Sequence, residues 1–127
     1  MKYLLDTQAV IWYYEESPKL PKNMEALIDD VSNNVYICSA SLWEIAIKTS
    51  LGKLSLKLQL DDLLDNIKHR DFHVLQIEDM YLSELMELPY IHKDPFDRLI
   101  ISTAIAEELT IITIDENIQK YDVPWIW

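Results

Sequence analysis

The sequence of 127 residues contains one glycine, Gly52, and one cysteine, Cys38. A single glycine argues against a glycine-rich phosphate-binding loop and against a fold with many left-handed backbone positions. A single cysteine excludes an internal disulfide and a zinc site built from several cysteines. This cysteine content suits a reducing cytoplasm, which is the location we expect.

Basic residues are also scarce. Lysine and arginine together number 11 against 22 aspartates and glutamates, so the formal net charge is -11. General nucleic-acid binders carry a basic surface, and this chain does not have the composition for one. Two interpretations remain. The acids gather metal ions, which reverse the local charge, or a basic partner covers part of the surface.

Long apolar runs are absent as well. No stretch approaches the roughly 20 apolar residues of a membrane-spanning helix, and the first residues lack the apolar core of a signal peptide. We therefore expect no membrane contact. The length and a hydrophobic content of 50% predict a single domain over residues 1–127 with its own core.

Short apolar segments alternate with amphipathic ones along the whole chain. The patterns predict strands at 3–5, 35–38, 72–76, 110–114 and 123–127, and helices at 9–14, 21–31, 39–49, 60–68, 78–88 and 95–109. Such an order predicts a parallel α/β sheet with helices on both faces. Pro124 places the last strand at an edge of the sheet. The strict alternation of residues 54–60 favours a strand by period alone, with an extended connector as the alternative.

Four acids follow strand-like segments or begin helices at what should be one edge of this sheet. Asp6 and Asp115 come just after the first and fourth predicted strands, and Glu44 lies about one turn into the helix after the second. Asp97 lies in the first turn of the helix at 95–109. Ligands bind parallel sheets at the carboxyl ends of the strands, and carboxylates there would repel one another without a cation. We therefore expect a Mg²⁺ or Mn²⁺ site that serves phosphodiester cleavage.

Each acid also has a structural explanation. Asp6 and Asp94 can cap helices, and Asp115 can belong to an ordinary turn. Ser41 and Glu44 match a capping box, and the helix dipole favours an acid at Asp97. Only the coincidence of all four acids at one edge argues for a site.

Arg98 and the histidines are less specific. Arg98 lies four residues after Asp94 and is predicted either to pair with it on the helix surface or to orient Asp97 or meet a phosphate. His69, His73 and His92 lack metal-ligand spacing and are expected to be ordinary surface or core residues.

At these residues the sequence resembles the PIN-domain family, and in particular VapC-like toxins of type II toxin–antitoxin systems. The resemblance rests on LLDTQA from Leu4, SASLWEIAIK from Ser39, LGKL from Leu51, HKDPFDRLI from His92 and TIDE from Thr113. It implies a three-layer α/β/α sandwich with a small parallel sheet, and Mg²⁺- or Mn²⁺-dependent endoribonuclease activity. It also implies a homodimer and a cognate antitoxin whose tail covers the site.

By this resemblance the catalytic and metal-binding acids are Asp6, Glu44, Asp97 and Asp115, with Asp94 and Thr113 as supporting neighbours. Gln8 and Ile118 depart from the family pattern at positions outside the four acids.

Two rival functions remain. One is a non-catalytic binding module whose acids are only caps. The other is an aspartate-based phosphatase acting through Asp6, although the chain lacks the second acid of a D-x-D motif.

Overall fold

Five short strands and seven helices make up the fold of the computed structural model, which describes all 127 residues. The strands are β1 (Lys2–Leu5), β2 (Asn34–Cys38), β3 (His73–Leu75), β4 (Thr110–Ile112) and β5 (Trp125–Ile126). The helices are α1 (Thr7–Tyr14), α2 (Lys22–Asp29), α3 (Ser39–Ser50), α4 (Leu60–His69), α5 (Asp79–Glu87), α6 (Pro95–Glu107) and α7 (Glu116–Gln119).

All neighbouring strands of the sheet are parallel, in the order β3-β2-β1-β4-β5. The central strand β1 places Leu5 beside Ile37 of β2 and Ile112 of β4. The chain leaves β1 towards β2 and β3 and then returns to its other side with β4. The winding direction therefore reverses between β1 and β4, which is where such sheets open a crevice for ligands.

Alternate residues of the strands supply two cores, one on each face of the sheet. Leu5 and Tyr3 belong to the cluster that includes Val10 of α1 and Met24 of α2. Leu4 belongs to the other cluster, together with side chains of α6 such as Ile100 and Ala104. Because strand side chains alternate between faces, three successive residues of β1 pack against helices on both sides of the sheet. The predicted α/β/α sandwich is confirmed.

Of the two structures predicted for residues 54–60, the strand is wrong and the extended connector is confirmed, with α4 beginning at Leu60. The backbone nitrogen of Lys57 donates to both carboxylate oxygens of Glu15, at 2.8 and 3.1 Å, instead of to a neighbouring strand. Leu54 and Leu56 pack against the core that contains α1. An extended chain crossing a core buries every second residue, so it produces the alternation of a strand without belonging to a sheet.

Other boundaries differ from the predictions by a few residues. Helix α1 begins at Thr7 rather than residue 9, α2 spans Lys22–Asp29 within the predicted 21–31, and β4 ends at Ile112 rather than residue 114. Strand β5 is reduced to Trp125–Ile126 and lies at the edge of the sheet, as Pro124 predicted.

Three residues adopt left-handed backbone conformations, although the chain has one glycine. Gly52 has φ 70°, and Glu16 and Glu108 have φ 52° and 56°. Glu108 ends α6 at the position where glycine is usual. The scarcity of glycine therefore did not exclude such positions. None of the helices has the length and apolar character needed to cross a membrane.

Candidate metal and nuclease site

A cleft of about 350 Å³ opens at the carboxyl edge of the sheet, beside the point where the winding reverses. Its walls come from the segments that follow β1 and β4 and from α3 and the start of α6. Five carboxylates line it: Asp6, Glu44, Asp94, Asp97 and Asp115. The four acids predicted to converge therefore do so, together with the predicted supporting residue Asp94.

Asp6 is held by both of its carboxylate oxygens. The backbone nitrogen of Ala9 donates to Oδ1 at 2.8 Å, which caps α1, and the hydroxyl of Thr113 donates to Oδ2. Asp6 is buried, with only 4% of its surface exposed. Burial raises the pKa of Asp6 to about 7; the two hydrogen bonds oppose this, and the charges of Asp97 and Asp115 add to it. Asp6 is thus both a helix cap and a member of the cleft.

Thr113 connects the acids that follow β1 and β4. Its hydroxyl donates to Asp6 and accepts from the backbone nitrogen of Asp115 at 3.0 Å. Asp115 in turn caps α7, because Oδ1 accepts from the backbone nitrogens of Asn117 and Ile118 at 2.8 and 3.2 Å. Its Oδ2 receives no hydrogen bond from the chain and is free for a ligand.

The start of α6 positions Asp97. Asp94 caps this helix by accepting from the backbone nitrogen of Asp97 at 2.9 Å, and Pro95 occupies the first turn. The imidazole Nε2 of His92 lies 3.1 Å from Oδ2 of Asp97, and Oδ1 has no partner in the chain. Burial raises the pKa of Asp97 to about 6; the hydrogen bond from His92 opposes this, and the charges of Asp94, Asp115 and Glu44 add to it.

Glu44 does not belong to a capping box. Helix α3 begins at Ser39, so Ser41 lies inside the helix, and its hydroxyl accepts from Thr7 at 3.0 Å. Oε2 of Glu44 pairs with Nζ of Lys48 at 2.7 Å, while Oε1 is buried and has no partner. A buried carboxylate oxygen without a donor is costly, and a cation in the cleft would relieve that cost. The capping-box explanation for Glu44 is therefore wrong.

Arg98 is buried rather than on the helix surface, and the predicted ion pair with Asp94 is wrong. Its Nη1 donates to the backbone oxygen of Pro89 at 2.9 Å and to the hydroxyl of Tyr121 at 3.0 Å. The guanidinium also lies 4.1 Å from the ring centre of Tyr90. Arg98 therefore touches neither acid of its own helix start.

Two contributors to the site were not predicted from the sequence. Lys48 lines the cleft and neutralises Glu44, and its i,i+4 spacing from Glu44 was a readable signal. His92 contacts Asp97 across the turn before α6. No periodicity marks that contact, because it depends on how an irregular segment folds back.

The donor set suits a hard divalent cation. All candidate ligands are oxygens, and Glu44, Asp97 and Asp115 each keep one carboxylate oxygen without a partner in the chain. No group of three His, Cys, Asp or Glu side chains is arranged to hold an ion directly. Mg²⁺ retains several waters and needs only one or two direct carboxylates, so the residues fit such an ion.

Comparison with known proteins identifies a matching family model and similar folds. The family model described as PIN domain matches residues 3–124. No curated protein sequence matches the chain significantly. Among solved structures, the fold is similar to a chain of VapBC2 from Rickettsia felis bound to a DNA fragment from their promoter, with 22% identity and a TM-score of 0.76 over 99% of this chain and 98% of that one.

Two further solved structures have the same fold. FitAcB from Neisseria gonorrhoeae gives 19% identity and a TM-score of 0.69, covering 98% of this chain and 96% of the other. VapBC-1 from nontypeable Haemophilus influenzae gives 16% identity and a TM-score of 0.72, covering 99% and 97%. At these identities the likeness is one of fold.

Proposed function

The chain belongs to the PIN-domain family, and from this premise we propose that it is a metal-dependent endoribonuclease that acts as the toxin of a toxin–antitoxin pair. One observation carries the proposal. Five carboxylates line a single cleft at the carboxyl edge of the sheet, and Lys48 is the one basic side chain among the residues that line it. Such an excess of negative charge repels a phosphodiester unless cations are bound.

The residues divide into ligands and supports. Glu44, Asp97 and Asp115 offer free oxygens to Mg²⁺ or Mn²⁺, and Asp6 lies among them with its orientation fixed by Thr113. Ions of this class supply the activated water and the charge neutralisation that phosphodiester hydrolysis requires. The chain contributes fixed carboxylates that need not reorganise when the substrate arrives.

Lys48 has a separate place in this scheme. Its ammonium group is about half exposed and pairs with the otherwise buried carboxylate of Glu44. The bond to Glu44 raises the pKa of Lys48, so the side chain stays cationic. We assign it the role of a resident counter-ion that partly neutralises the cleft before a divalent cation binds.

The proposed partner is an antitoxin with a basic segment. The net charge of -11 and the acidic cleft favour a partner that brings lysine or arginine to this surface. Similar chains occur in VapBC and FitAB assemblies, some of them bound to DNA fragments. The choice of RNA as substrate comes from the family resemblance, and contact with promoter DNA would belong to the assembly rather than to this acidic chain.

The test is metal-dependent cleavage of a pool of cellular RNAs by the purified chain. Asp97→Asn and Glu44→Gln each remove one charged ligand while keeping size, and we expect a loss of at least about 100-fold in rate, the scale on which electrostatic groups at active sites act. Asp61→Asn on the exposed face of α4 is the matched control and should cleave normally. Cleavage that persists in EDTA, or at an unchanged rate in both cleft variants, would refute the proposal.

The phosphatase alternative is disfavoured by the surroundings of Asp6. A phosphoacceptor needs an accessible carboxylate oxygen, whereas Asp6 is 4% exposed and both oxygens accept hydrogen bonds. The non-catalytic alternative makes a different prediction. If the acids are only caps, Mn²⁺ will leave thermal stability unchanged, because only a ligand that prefers the folded state raises it.

A further inference from the structure

A buried chain of hydrogen bonds runs behind Asp97, outside the acidic cleft. It begins at Arg98, whose Nη1 donates to the hydroxyl oxygen of Tyr121 at 3.0 Å. The same hydroxyl lies 2.8 Å from Nδ1 of His92, and Nε2 of His92 lies 3.1 Å from Oδ2 of Asp97. Arg98 and Tyr121 are 5% and 4% exposed, and the side chains of His92 and Asp97 are 12% and 18% exposed, so these contacts are largely shielded from water.

The hydroxyl of Tyr121 has a fixed hydrogen-bond inventory. A phenol oxygen can donate one hydrogen and accept at its lone pairs. Two donors already point at it: Nη1 of Arg98 at 3.0 Å and the backbone nitrogen of His92 at 3.2 Å. Both are obligate donors, so the phenol must use its own hydrogen for the third contact, which is Nδ1 of His92.

This inventory determines the tautomer of the imidazole. If Nδ1 of His92 accepts from Tyr121, the ring proton of neutral histidine resides on Nε2. Nε2 then donates to Oδ2 of Asp97. A carboxylate oxygen engaged in this way is held in one orientation, and the other oxygen of Asp97 has no partner in the chain.

We propose that His92 is a positioning residue for Asp97, kept in its Nε2-protonated tautomer by Tyr121 and Arg98. The arrangement is that of a carboxylate ligand whose direction is set by an outer hydrogen-bond donor, which is in turn oriented by groups behind it. Arg98 thereby influences the orientation of Asp97 through Tyr121 and His92, without contacting an acid itself. This inference rests on the proposed role of Asp97 as a metal ligand, but the tautomer itself can be measured without any metal.

The first measurement is the ¹⁵N spectrum of the imidazole ring in the full chain in EDTA. Two-bond correlations distinguish the nitrogen that carries the proton, and we expect the Nε2-protonated pattern for His92. In Tyr121→Phe, which removes the hydrogen-bond donor to Nδ1, we expect the ¹⁵N resonance of Nδ1 to shift, and an unshifted resonance would overturn the role of Tyr121. A wild-type His92 protonated on Nδ1 would overturn the inference, whatever the behaviour of the variant.

The second measurement is Mn²⁺ affinity, followed by the loss of the free Mn²⁺ signal in electron paramagnetic resonance. His92→Leu should weaken binding by about 10- to 100-fold, the usual effect of removing an outer partner of a ligand. His92→Gln should recover part of that loss, because its amide nitrogen can take the place of Nε2 and donate to Asp97. His69→Leu, at an exposed histidine of α4, is the matched control.

The outcomes separate this inference from the proposed function. If the wild-type chain binds no Mn²⁺ and cuts no RNA, the proposed function fails and the ring spectrum alone decides the tautomer. If the wild-type chain binds Mn²⁺ and cuts RNA while His92→Leu binds Mn²⁺ as tightly as the wild type, the positioning role is overturned. Equal loss in His92→Leu and His92→Gln would also overturn it, because the recovery depends on the restored donor.

Discussion

The acidic cleft should make the metal-free protein less stable as the pH rises. Asp6 has a pKa of about 7 in the fold against an ordinary value of 3.8, mainly because it is buried. Between these two values the folded state binds more protons than the unfolded state, so the free energy of unfolding decreases with increasing pH. Asp97, with a pKa raised to about 6, acts in the same direction.

The magnitude follows from the two pKa values of Asp6. At a pH above both pKa values, the ionised Asp6 lowers the free energy of unfolding by about 4 kcal/mol. About 3 kcal/mol of this is regained when the pH falls from about 8 to about 5. Urea slopes for small domains are about 1–3 kcal/mol per molar, so the unfolding midpoint should rise by about 1–3 M over this interval. The expected measurement is urea unfolding in EDTA at several pH values.

Asp6→Asn provides the decisive comparison, because it removes the charge and keeps an acceptor for the backbone nitrogen of Ala9. We expect the variant to lose most of the pH dependence and to be more stable than the wild type at about pH 8. Asp61→Asn on exposed α4 is the control and should retain the wild-type slope. A wild-type midpoint that is flat or rises towards pH 8, or an unchanged slope in Asp6→Asn, would refute the reasoning.

Three further predictions concern Lys48, Tyr81 and Met86. Lys48→Met should tighten Mn²⁺ binding several-fold in a calorimetric titration, because it frees Glu44 and removes a positive charge; weaker binding would contradict the counter-ion role. Tyr81→Phe should lower the free energy of unfolding in urea by about 1 kcal/mol, because the hydroxyl donates to Glu107 at 2.8 Å and joins α5 to α6; no change would show that this bond is not stabilising. Met86 is 86% exposed on α5, and because the family resemblance implies a homodimer, we expect Met86→Lys to shift sedimentation of the chain towards a monomer; unchanged sedimentation would show that Met86 lies outside a dimer contact.

The sheet could be predicted from the sequence because its signals are local. Continuous apolar segments such as those at Tyr3 and Ile111 are typical of strands buried on both faces, and the residues between them have helical spacing. The connector near Lys57 shows the limit of this approach. The period of the hydrophobic pattern indicates which side chains are buried, whereas a strand is defined by backbone hydrogen bonds to a neighbouring strand. The backbone nitrogen of Lys57 instead donates to the side chain of Glu15.

The site was predictable to the extent that topology determines it. Parallel strands end at one edge, so Asp6 and Asp115 had to approach each other once the fold was known. The contacts behind the acids were not predictable from topology, because they join residues far apart in the chain; only the family resemblance implied a supporting role for Thr113. Thr113 reaches Asp6 across 107 positions and Tyr121 reaches His92 across 29. Such contacts depend on side-chain rotamers and on irregular segments that carry no periodic pattern.

Helix capping explains the oxygens of this cleft but not its charge. Asp6, Asp94 and Asp115 each cap a helix, and asparagine or serine would do so about equally well. Neutral caps would also avoid the cost of burying a charge at Asp6 and would weaken the repulsion that Asp97 receives from Asp94 and Asp115. The chain therefore carries ionisable groups where the fold requires only acceptors, at a cost in stability that a bound cation would remove. The proposed cation site explains that cost, whereas a set of coincident caps does not.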